Sequence, residues 1–332
     1  MSSDSARGRC RVFVTRPLPG PALQELAQEH LIRVWDGVGI PTNEDVLKGA
    51  RRAQGLLCLL TDRVDGHLLD ACPGLRVISS CSVGVDHVDL AAACQRGIPV
   101  GHTPGVLTET TADLAFGLLL AAARRIPEAD RFVREGLWTW ERRWEPDLLL
   151  GRDLHGSTLG IVGLGAIGQA VARRALGFGM QVLGWSRSEG LTPGVERVSR
   201  LEELLGRSRF LSVHVPLTLE TRDLIGADQL ARLPRGAVLV NTARGGIVDE
   251  QALAQALSSG ALHAAGLDVF SEEPIPRSSP LLGLPNVVFA PHIGSASVAT
   301  RERMATLAVE NLREGLAGRP MPHCANVEVY TR

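Results

Sequence analysis

The stretch that decides the fold of this chain is Leu159-Gly160-Ile161-Val162-Gly163-Leu164-Gly165-Ala166-Ile167-Gly168. It is typical of a short apolar strand that enters a G-x-G-x-x-G turn, and a helical pattern follows at once. Side chains at Gly163, Gly165 and Gly168 would block the tight turn, the approach of a pyrophosphate, or the packing of the helix on the strand. The turn therefore predicts a dinucleotide site, with the phosphates at the N-terminus of the helix.

The residues after the next strand indicate which dinucleotide binds. NAD-binding chains usually carry an acidic residue about 20 positions beyond the glycines, where it accepts a hydrogen bond from the ribose 2′-hydroxyl. Here the predicted strand Gln181–Trp185 is followed by Ser186-Arg187-Ser188, and the first carboxylate is Glu189. An arginine between two hydroxyls suits a 2′-phosphate, which a carboxylate would repel. We therefore expect NADP(H), with NAD(H) as the weaker alternative; if Arg187 is a plain surface arginine, it favours neither.

The composition of the chain excludes several classes of protein. Of its 332 residues 45% are hydrophobic, which is enough for two domains with sizeable cores. A formal net charge of −1 argues against non-specific binding to nucleic acid. The N-terminal segment lacks the apolar core of a signal peptide, and the longest apolar run, residues 114–123, is too short to span a bilayer. We therefore expect no nucleic-acid or membrane partner.

The cysteines indicate the compartment. The chain has six, with no metal-ligand spacing among them, and Cys58 and Cys81 lie inside apolar strand patterns. Buried reduced thiols behave in this way. We therefore expect a cytoplasmic protein without a metal site.

Short apolar segments alternate with helical patterns along the whole chain. Continuous apolar runs separated by helices are typical of parallel strands that are buried on both faces. The expected fold class is therefore α/β, with two doubly wound parallel sheets. The predicted strands are Val12–Thr15, Gly55–Leu60, Val77–Ser82, Leu159–Val162, Gln181–Trp185, Phe210–Val215, Ala237–Asn241, Ala264–Val269 and Val287–Ala290.

Two helical segments connect the sheets. The first, Thr108–Arg125, is predicted to begin with Thr108 as its N-cap and to be stopped by Pro127, and the second is Thr300–Gly315. Because the glycine turn comes only at residue 163, we expect a Rossmann cofactor domain inserted into a discontinuous, flavodoxin-like substrate domain. The expected bounds are residues 1–105 with 296–332 for the substrate domain and 106–295 for the cofactor domain, with hinges near 104–108 and 294–298.

Three ionisable residues follow predicted strands of the cofactor domain. Arg244 comes after one strand, Glu273 lies in the loop after the next, and His292 follows the last. Open α/β sheets bind ligands at the carboxyl ends of their strands. Hydride transfer to a 2-keto acid needs a cation for the carboxylate and carbonyl, an acid to protonate the oxygen, and a carboxylate behind that acid. Arg244, His292 and Glu273 fit these roles in that order, although each alone could be a structural residue.

With these residues the chain resembles the D-isomer-specific 2-hydroxyacid dehydrogenases over nearly its whole length. Within that family it is most similar to the members that reduce glyoxylate and hydroxypyruvate. The segments that carry the resemblance, besides those of Arg244, Glu273 and His292, are Val12-Phe13-Val14-Thr15-Arg16, residues 55–60, Ser82-Val83-Gly84-Val85-Asp86-His87, Thr103-Pro104-Gly105-Val106-Leu107-Thr108 and Gly318-Arg319-Pro320-Met321-Pro322.

The resemblance implies NADPH-dependent, reversible reduction of glyoxylate to glycolate and of hydroxypyruvate to D-glycerate. It implies catalytic roles for Arg244, Glu273 and His292. It places the substrate against Arg244, His292 and the residues Val83, Gly84, Asp268 and Ser295, of which Val83 and Gly84 supply backbone N–H groups. It places the cofactor against Gly163, Gly165, Ala166, Ile167, Gly168, Ser186, Arg187, Ser188, Pro216, Thr242, Asp268 and Gly294.

The resemblance also implies a homodimer formed around the segment that contains Trp138, Trp140 and Trp144. Aromatic side chains are enriched at interfaces, so these rings could serve only to bury interface area. Our sharper hypothesis is that Trp144 reaches across the dimer and forms a wall of the partner's substrate pocket.

Two alternatives share this fold. A 3-phosphoglycerate dehydrogenase would need extra cations for a phosphate, and many such enzymes carry a C-terminal regulatory domain, which we do not expect in a chain of this length. A dinucleotide-sensing transcriptional corepressor would bind a partner peptide and use the cofactor as a switch. The arginine, glutamate and histidine are compatible with that alternative too.

Overall fold

The chain divides into two units in the computed structural model, which describes residues 8–187 and 192–331. The first unit is Met1–Leu107 with Ser295–Arg332, and the second is Thr108–Gly294. The chain thus changes units at 107/108 and 294/295, where the sequence led us to expect 105/106 and 295/296. Ser188, one of the expected cofactor residues, lies outside the described residues.

The regular elements are numbered in chain order through both units. The strands are β1 Arg11–Val14, β2 Leu31–Val34, β3 Gly55–Cys58, β4 Val77–Ser80, β5 Val100–Gly101, β6 Thr158–Val162, β7 Gln181–Trp185, β8 Val195–Arg197, β9 Phe210–Val213, β10 Ala237–Asn241, β11 Leu262–Leu267 and β12 Val287–Phe289. The helices are α1 Ala22–Glu29, α2 Asn43–Ala50, α3 Gly66–Ala71, α4 Leu90–Gln95, α5 Thr108–Ala123, α6 Ile126–Arg134, α7 Ala166–Gly177, α8 Leu201–Arg207, α9 Ala227–Arg232, α10 Glu250–Ser258 and α11 Val298–Leu316.

The first unit contains a five-stranded sheet in the order β2-β1-β3-β4-β5, with every pair of neighbours parallel. This is the strand order of flavodoxin-like folds. Helix α11 returns from the far end of the chain to cover one face of the sheet. There Met304, Ala308 and Leu312 are buried in one cluster with Val12 and Val77.

The second unit contains a seven-stranded parallel sheet in the order β12-β11-β10-β9-β6-β7-β8. The central strands are covered on both faces, and all five residues of β10 are buried. The order of strands reverses between β6 and β9, which makes this the point where open α/β sheets bind ligands. The expected fold class of two parallel-sheet α/β domains is confirmed.

Three strands were missed by the sequence analysis, and all three lie at sheet edges. Strand β2 alternates between exposed and half-buried residues, β5 has two residues, and β8 is largely exposed. Strands β2 and β8 need no continuous apolar run, because part of each faces solvent, whereas β5 is buried but has only two residues. The criterion that found the buried strands therefore could not find these.

The connector helix differs from the expected one at both ends. Thr108 is the first residue of α5, so it lies inside the helix rather than at the N-cap position. The helix ends at Ala123, and Arg125 adopts a left-handed φ of 55°. Pro127 then lies in the first turn of α6. Proline fits there because first-turn N–H groups have no partner within the helix, so Pro127 helps to begin a helix instead of ending one.

Among the residues that the structure describes, none of the helices combines the length and the apolar character needed to cross a bilayer.

Candidate active site

Two glycines of the turn between β6 and α7 are required by the fold itself. Gly163 has a φ of 102°, and a Cβ built there would lie 2.7 Å from the carbonyl carbon of His214. A Cβ at Gly168 would lie 2.0 Å from the carbonyl oxygen of Gly163. Both distances are too short for any side chain, so the turn and helix can approach this closely only with glycine at the two positions.

Contacts within the described protein do not explain why position 165 is occupied by glycine. Its φ of −69° suits any residue, and no heavy atom of residues 8–187 or 192–331 lies within 4 Å of the Cβ that it lacks. Gly165 is the N-cap of α7, and no side chain caps the helix there. The first turn, which contains Ala166 and Ile167, therefore presents its N–H groups without a side-chain partner. These residues fit the pyrophosphate of a dinucleotide, which would use the space that a side chain at Gly165 would fill.

His214 follows β9 beside this turn and carries no charge at neutral pH. Burial lowers the pKa of His214 to about 4. Its Nε2 lies 2.7 Å from Oγ of Ser212, which provides a neutral hydrogen-bond partner. The positive potential at the glycine turn therefore comes from the N-terminus of α7 rather than from an imidazolium.

One arginine follows β7, and a second, on β8, contacts the same segment. Ser186 is half-buried and Arg187 is exposed. Arg197, at the carboxyl end of β8, donates from Nη2 to the carbonyl oxygen of Ser186 at 2.8 Å. The charge of Arg187 also contributes to lowering the pKa of Glu220, after the larger effect of the hydrogen bond from Thr218. Arg187 lies two residues beyond β7, the strand that pairs with β6.

Glu273 and His292 form a hydrogen-bonded pair. Nδ1 of His292 lies 2.7 Å from Oε2 of Glu273, and the side chains are 23% and 31% exposed respectively. The other carboxylate oxygen of Glu273 accepts a hydrogen bond from the backbone N–H of Phe270 at 2.9 Å. This second bond fixes the carboxylate, which in turn orients the imidazole. With Nδ1 engaged, Nε2 is the ring nitrogen that remains for a substrate.

The turn that carries His292 is held by Asp268, which is 1% exposed. Its two carboxylate oxygens accept from the backbone N–H groups of Ile293 at 2.7 Å and Gly294 at 2.8 Å. Its carbonyl oxygen accepts from the N–H of His292 at 2.8 Å. His292 has a φ of 54°, a left-handed conformation that is rare for residues other than glycine. The Asp268 clamp supplies the hydrogen bonds that hold this conformation.

The two carboxyl groups of the site are perturbed in opposite directions. Burial raises the pKa of Asp268 above its ordinary value, although the N–H donors from Ile293 and Gly294 oppose this. Burial acts in the same direction on Glu273, but hydrogen bonds from His292 and Phe270 outweigh it and lower the pKa of Glu273. Glu273 is therefore an anion across the neutral range, as a carboxylate that supports a protonated histidine must be.

Arg244 lies after β10, in a turn built by the side chain of Asn241. Oδ1 of Asn241 accepts from the N–H of Ala243 at 3.0 Å, and its Nδ2 donates to the carbonyl oxygen of Arg244 at 2.9 Å. Nη1 of Arg244 donates to the carbonyl oxygen of Ala243 at 2.9 Å. The charge of Arg244 also contributes to lowering the pKa of Glu273. Asn241 was missed by the sequence analysis, although an asparagine that ends a strand before a turn is a recognisable signal.

Two further expected cofactor positions also lie at strand ends of this unit. Pro216 follows β9, and its carbonyl oxygen accepts from Oγ1 of Thr221 at 2.6 Å. Thr242 follows β10 and is 7% exposed. Within the described part of the chain, the buried Oγ1 of Thr242 has no hydrogen-bond partner. Such an unsatisfied hydroxyl beside the ligand-binding edge of the sheet fits a position that contacts a cofactor.

Three expected substrate residues belong to the first unit. Val83 and Gly84 follow β4 and are half-buried. Ser295 is the first residue of that unit's second segment, and its carbonyl oxygen accepts from the N–H of Ser297 at 2.9 Å.

Similarity to known proteins shows which family the chain belongs to. Residues 116–294 match the family described as D-isomer specific 2-hydroxyacid dehydrogenase, NAD binding domain. A glyoxylate reductase of Korarchaeum cryptofilum is 50% identical over 323 residues, which is 96% of each chain. The chain belongs to the D-isomer specific 2-hydroxyacid dehydrogenases. It is therefore an oxidoreductase of the CH–OH group that uses a nicotinamide dinucleotide, and the expected family is confirmed.

Two solved structures are similar to this chain over nearly its whole length. A protein of Thermus thermophilus is 52% identical, with a TM-score of 0.90 over 95% of this chain and 99% of its own. An NADPH-dependent glyoxylate/hydroxypyruvate reductase of Sinorhizobium meliloti, solved with NADP and malonate, is 35% identical. Its TM-score is 0.84 over 96% of this chain and 97% of its own.

Proposed function

We propose that this dehydrogenase reduces glyoxylate to glycolate and hydroxypyruvate to D-glycerate with NADPH. The observation that carries the proposal is the Glu273–His292 pair, 2.7 Å apart, in a site to which Arg244 adds positive charge. The glyoxylate reductases that this chain resembles over nearly its full length support the choice of substrate.

Arg244 is the group proposed to bind the keto acid. Its planar guanidinium can hold the carboxylate and polarise the adjacent carbonyl with neighbouring N–H donors. The turn built by Asn241 fixes the backbone from which the guanidinium extends. Lysine would not replace it, because a single ammonium lacks the fork of donors that both functions need.

His292 is the proposed acid. A nicotinamide dinucleotide, when bound, would supply the hydride for the carbonyl carbon. His292, protonated and supported by the Glu273 carboxylate, gives its Nε2 proton to the carbonyl oxygen, which becomes the hydroxyl of the product. In the reverse direction the neutral imidazole takes the proton from that hydroxyl.

Asp268 is proposed to act on this site through the backbone. Its carboxylate oxygens accept from the N–H groups of Ile293 and Gly294, which fixes the His292 turn, and each oxygen keeps a lone pair for a substrate or cofactor.

NADPH is the proposed form of the cofactor because Arg187 stands after β7, where an acidic residue would select NADH. Arg187 follows β7, and Arg197 approaches Ser186 from β8. Both guanidinium groups suit a 2′-phosphate. The Sinorhizobium meliloti relative, whose described complex contains NADP, supports the same choice.

A homodimer is the proposed assembly. Ile126, Val133, Trp138, Trp140 and Trp144 are all more than half exposed within one short stretch. Exposed apolar groups in such a concentration mark a surface that another protein covers. A second copy of this chain is the partner that the family resemblance favours.

The test is a comparison of kcat/KM for glyoxylate, hydroxypyruvate and 3-phosphohydroxypyruvate, each with NADPH and with NADH. We expect turnover of the first two acids, with NADPH preferred. Preferential reduction of the phosphorylated acid would favour a 3-phosphoglycerate dehydrogenase. Absence of any turnover, with NADPH still bound, would favour a dinucleotide-sensing protein.

A further inference from the structure

Two adjacent backbone amides of the first unit are left without a partner in the protein. Val83 and Gly84 follow β4 and are half-buried. Across residues 8–187 and 192–331, neither N–H group donates a hydrogen bond to the protein. Successive unpaired N–H groups form a concave site for an anionic oxygen. The two N–H groups can bind one anionic group together only if both of them face the same side.

The orientation of each amide is set by the carbonyl of its own peptide group. In a trans peptide the N–H points opposite to the C=O. The carbonyl oxygen of Ser82 accepts from the N–H of Thr103 at 2.8 Å, which turns the N–H of Val83 away from Thr103. The carbonyl oxygen of Val83 lies 3.0 Å from Nδ1 of His102, which turns the N–H of Gly84 the same way. Both carbonyls are thus held by the segment that follows β5.

His102 is well placed to hold its carbonyl, because its own backbone is fixed on both sides. Its N–H donates to the carbonyl oxygen of His323 at 3.2 Å, and its carbonyl oxygen accepts from Nδ2 of Asn311 at 2.8 Å. Asn311 lies on α11 and is fully buried. Its Oδ1 accepts from the N–H of His323 at 3.0 Å, so one buried amide ties the three segments together.

The next peptide group is held independently of His102. Oγ of Ser82 donates to the carbonyl oxygen of Gly84 at 2.7 Å. Oγ of Ser80 lies 2.6 Å from Oγ of Ser82 and 2.9 Å from Nε2 of His87. Since a hydroxyl donates one proton, the bonds run in one direction, from His87 through Ser80 and Ser82 to Gly84. These bonds hold the loop beyond Gly84, whereas the Val83–Gly84 peptide is held by His102.

We propose that His102 is a positioning residue that aims the Gly84 amide at the carboxylate of the substrate. It acts through a single hydrogen bond, from Nδ1–H to the carbonyl oxygen of Val83. Without that donor the Val83–Gly84 peptide can rotate, and the two N–H groups no longer point the same way. The proposal rests on the proposed reduction of small 2-keto acids and extends it by naming a residue that sets their binding.

The test uses His102→Asn and His102→Leu, two side chains of similar size and shape. The Nδ2 of asparagine can occupy the place of Nδ1 and donate to the same carbonyl, whereas leucine has no donor. We measure KM and kcat for glyoxylate, the Kd of oxalate with NADPH bound, the Kd of NADPH, and Tm. His67→Leu, which replaces an exposed histidine of the same unit, is the control.

We expect His102→Leu to raise KM for glyoxylate and Kd for oxalate about 10-fold, the effect of losing one well-aligned hydrogen bond. The Kd of NADPH should not change, and kcat should change less than KM. His102→Asn should restore both values to within about 3-fold of the wild type. Equal losses in the two variants, or no loss in His102→Leu, would overturn the proposal.

The oxalate measurement separates this proposal from the proposed function. A wild-type protein that binds oxalate more tightly than His102→Leu, yet reduces no keto acid, would support the role of His102 and contradict the proposed reaction. A wild-type protein that binds neither oxalate nor glyoxylate would contradict both.

Discussion

His292 joins an unfavourable backbone conformation to a favourable set of hydrogen bonds. A left-handed φ costs a residue other than glycine about 1–2 kcal/mol. Three backbone bonds to Asp268 hold the turn, and the carboxylate of Glu273 holds the ring. Strain that persists under such support is typical of a site where the position of one side chain matters.

Removing the charge of Glu273 tests its role behind the histidine. Glu273→Gln keeps a hydrogen-bond acceptor but loses the anion that stabilises a protonated imidazole. We expect the alkaline limb of the pH–rate profile for reduction to move to lower pH, because the negative charge that favours a protonated acid in the site is gone. The low pKa of Glu273 keeps the wild-type carboxylate ionised throughout this range.

Glu272→Gln is the matched control, since it removes the same charge from the adjacent exposed residue. Its pH–rate profile should follow that of the wild type. A profile for Glu273→Gln that coincides with the wild type would show that Glu273 does not support the histidine.

Arg187 should determine the preference for NADPH over NADH. In Arg187→Asp a carboxylate replaces the guanidinium proposed to bind the 2′-phosphate. Losing a charge-assisted bond costs about 1.5–3 kcal/mol, so the Kd of NADPH should rise roughly 10-fold or more, while NADH is used as well as before. Arg200→Asp, at an exposed arginine beyond β8, should leave both cofactors unaffected. Equal losses of NADPH and NADH in Arg187→Asp would contradict the assignment.

At the scale of elements, alanine substitutions at two glycines of the turn between β6 and α7 should have different effects. One should change stability and the other NADPH binding. Gly168→Ala places a Cβ 2.0 Å from a carbonyl oxygen and should lower the free energy of unfolding by about 1–3 kcal/mol. Gly165→Ala meets no atom of the described residues within 4 Å, so its Tm should stay near that of the wild type. Its NADPH affinity should nevertheless fall about 10-fold, the loss expected if one hydrogen bond to the pyrophosphate is blocked.

Thermal unfolding and NADPH titration of the two variants check this turn. If Gly165→Ala binds NADPH normally, the pyrophosphate does not use the space beside Gly165. If Gly168→Ala is as stable as the wild type, the close packing of α7 on the turn is not required.

The elements that the sequence could predict are those with a local signal. Strand β10 is buried along its whole length, and the glycine turn has steric requirements that only glycine meets. The edge strands β2, β5 and β8 lack such a signal, because their place depends on a neighbouring strand. Pro127 shows a second limit of predicting elements from sequence. A proline indicates a helix boundary, but not whether it ends one helix or begins the next.

The same distinction applies to the candidate site. That Arg244, Glu273 and His292 follow strands could be read from the sequence, because parallel strands bring their carboxyl ends to one edge. The contact of Phe270 N–H with Glu273 and the turn built by Asn241 depend on the path of each loop. The hydrogen bond from His102 to Val83 joins a residue after β5 to a residue after β4, and no repeating pattern in the sequence predicts it.

At the scale of the whole molecule, the exposed tryptophans make a prediction about assembly. Trp138, Trp140 and Trp144 are 57%, 76% and 78% exposed. Trp140 is stacked by Arg143 at 3.8 Å, and Nε1 of Trp138 donates to the carbonyl oxygen of Arg143 at 3.1 Å. Trp144 has neither of these contacts, which leaves its ring available to a partner subunit.

We expect the wild-type protein to sediment as a dimer, and Trp144→Ala to remain a dimer but to accept phenylpyruvate better relative to hydroxypyruvate. Relief of a steric wall should improve that selectivity ratio about 10-fold, the scale of one lost apolar contact in a pocket. Trp140→Ala is the control and should leave the ratio unchanged. Loss of the dimer in Trp144→Ala, or an unchanged ratio, would make Trp144 a structural residue only.

His292 is proposed to donate the proton in an NADPH-dependent reduction of small 2-keto acids. The most direct measurement is NADPH oxidation with hydroxypyruvate by the wild type and by His292→Gln, together with the Kd of NADPH for each. We expect a wild-type kcat/KM of about 10⁴ M⁻¹ s⁻¹ or more. In His292→Gln, kcat should be about 10²–10⁴-fold lower, with NADPH binding unchanged. Equal rates in the two proteins, or a wild type that binds NADPH but oxidises none of it, would contradict the claim.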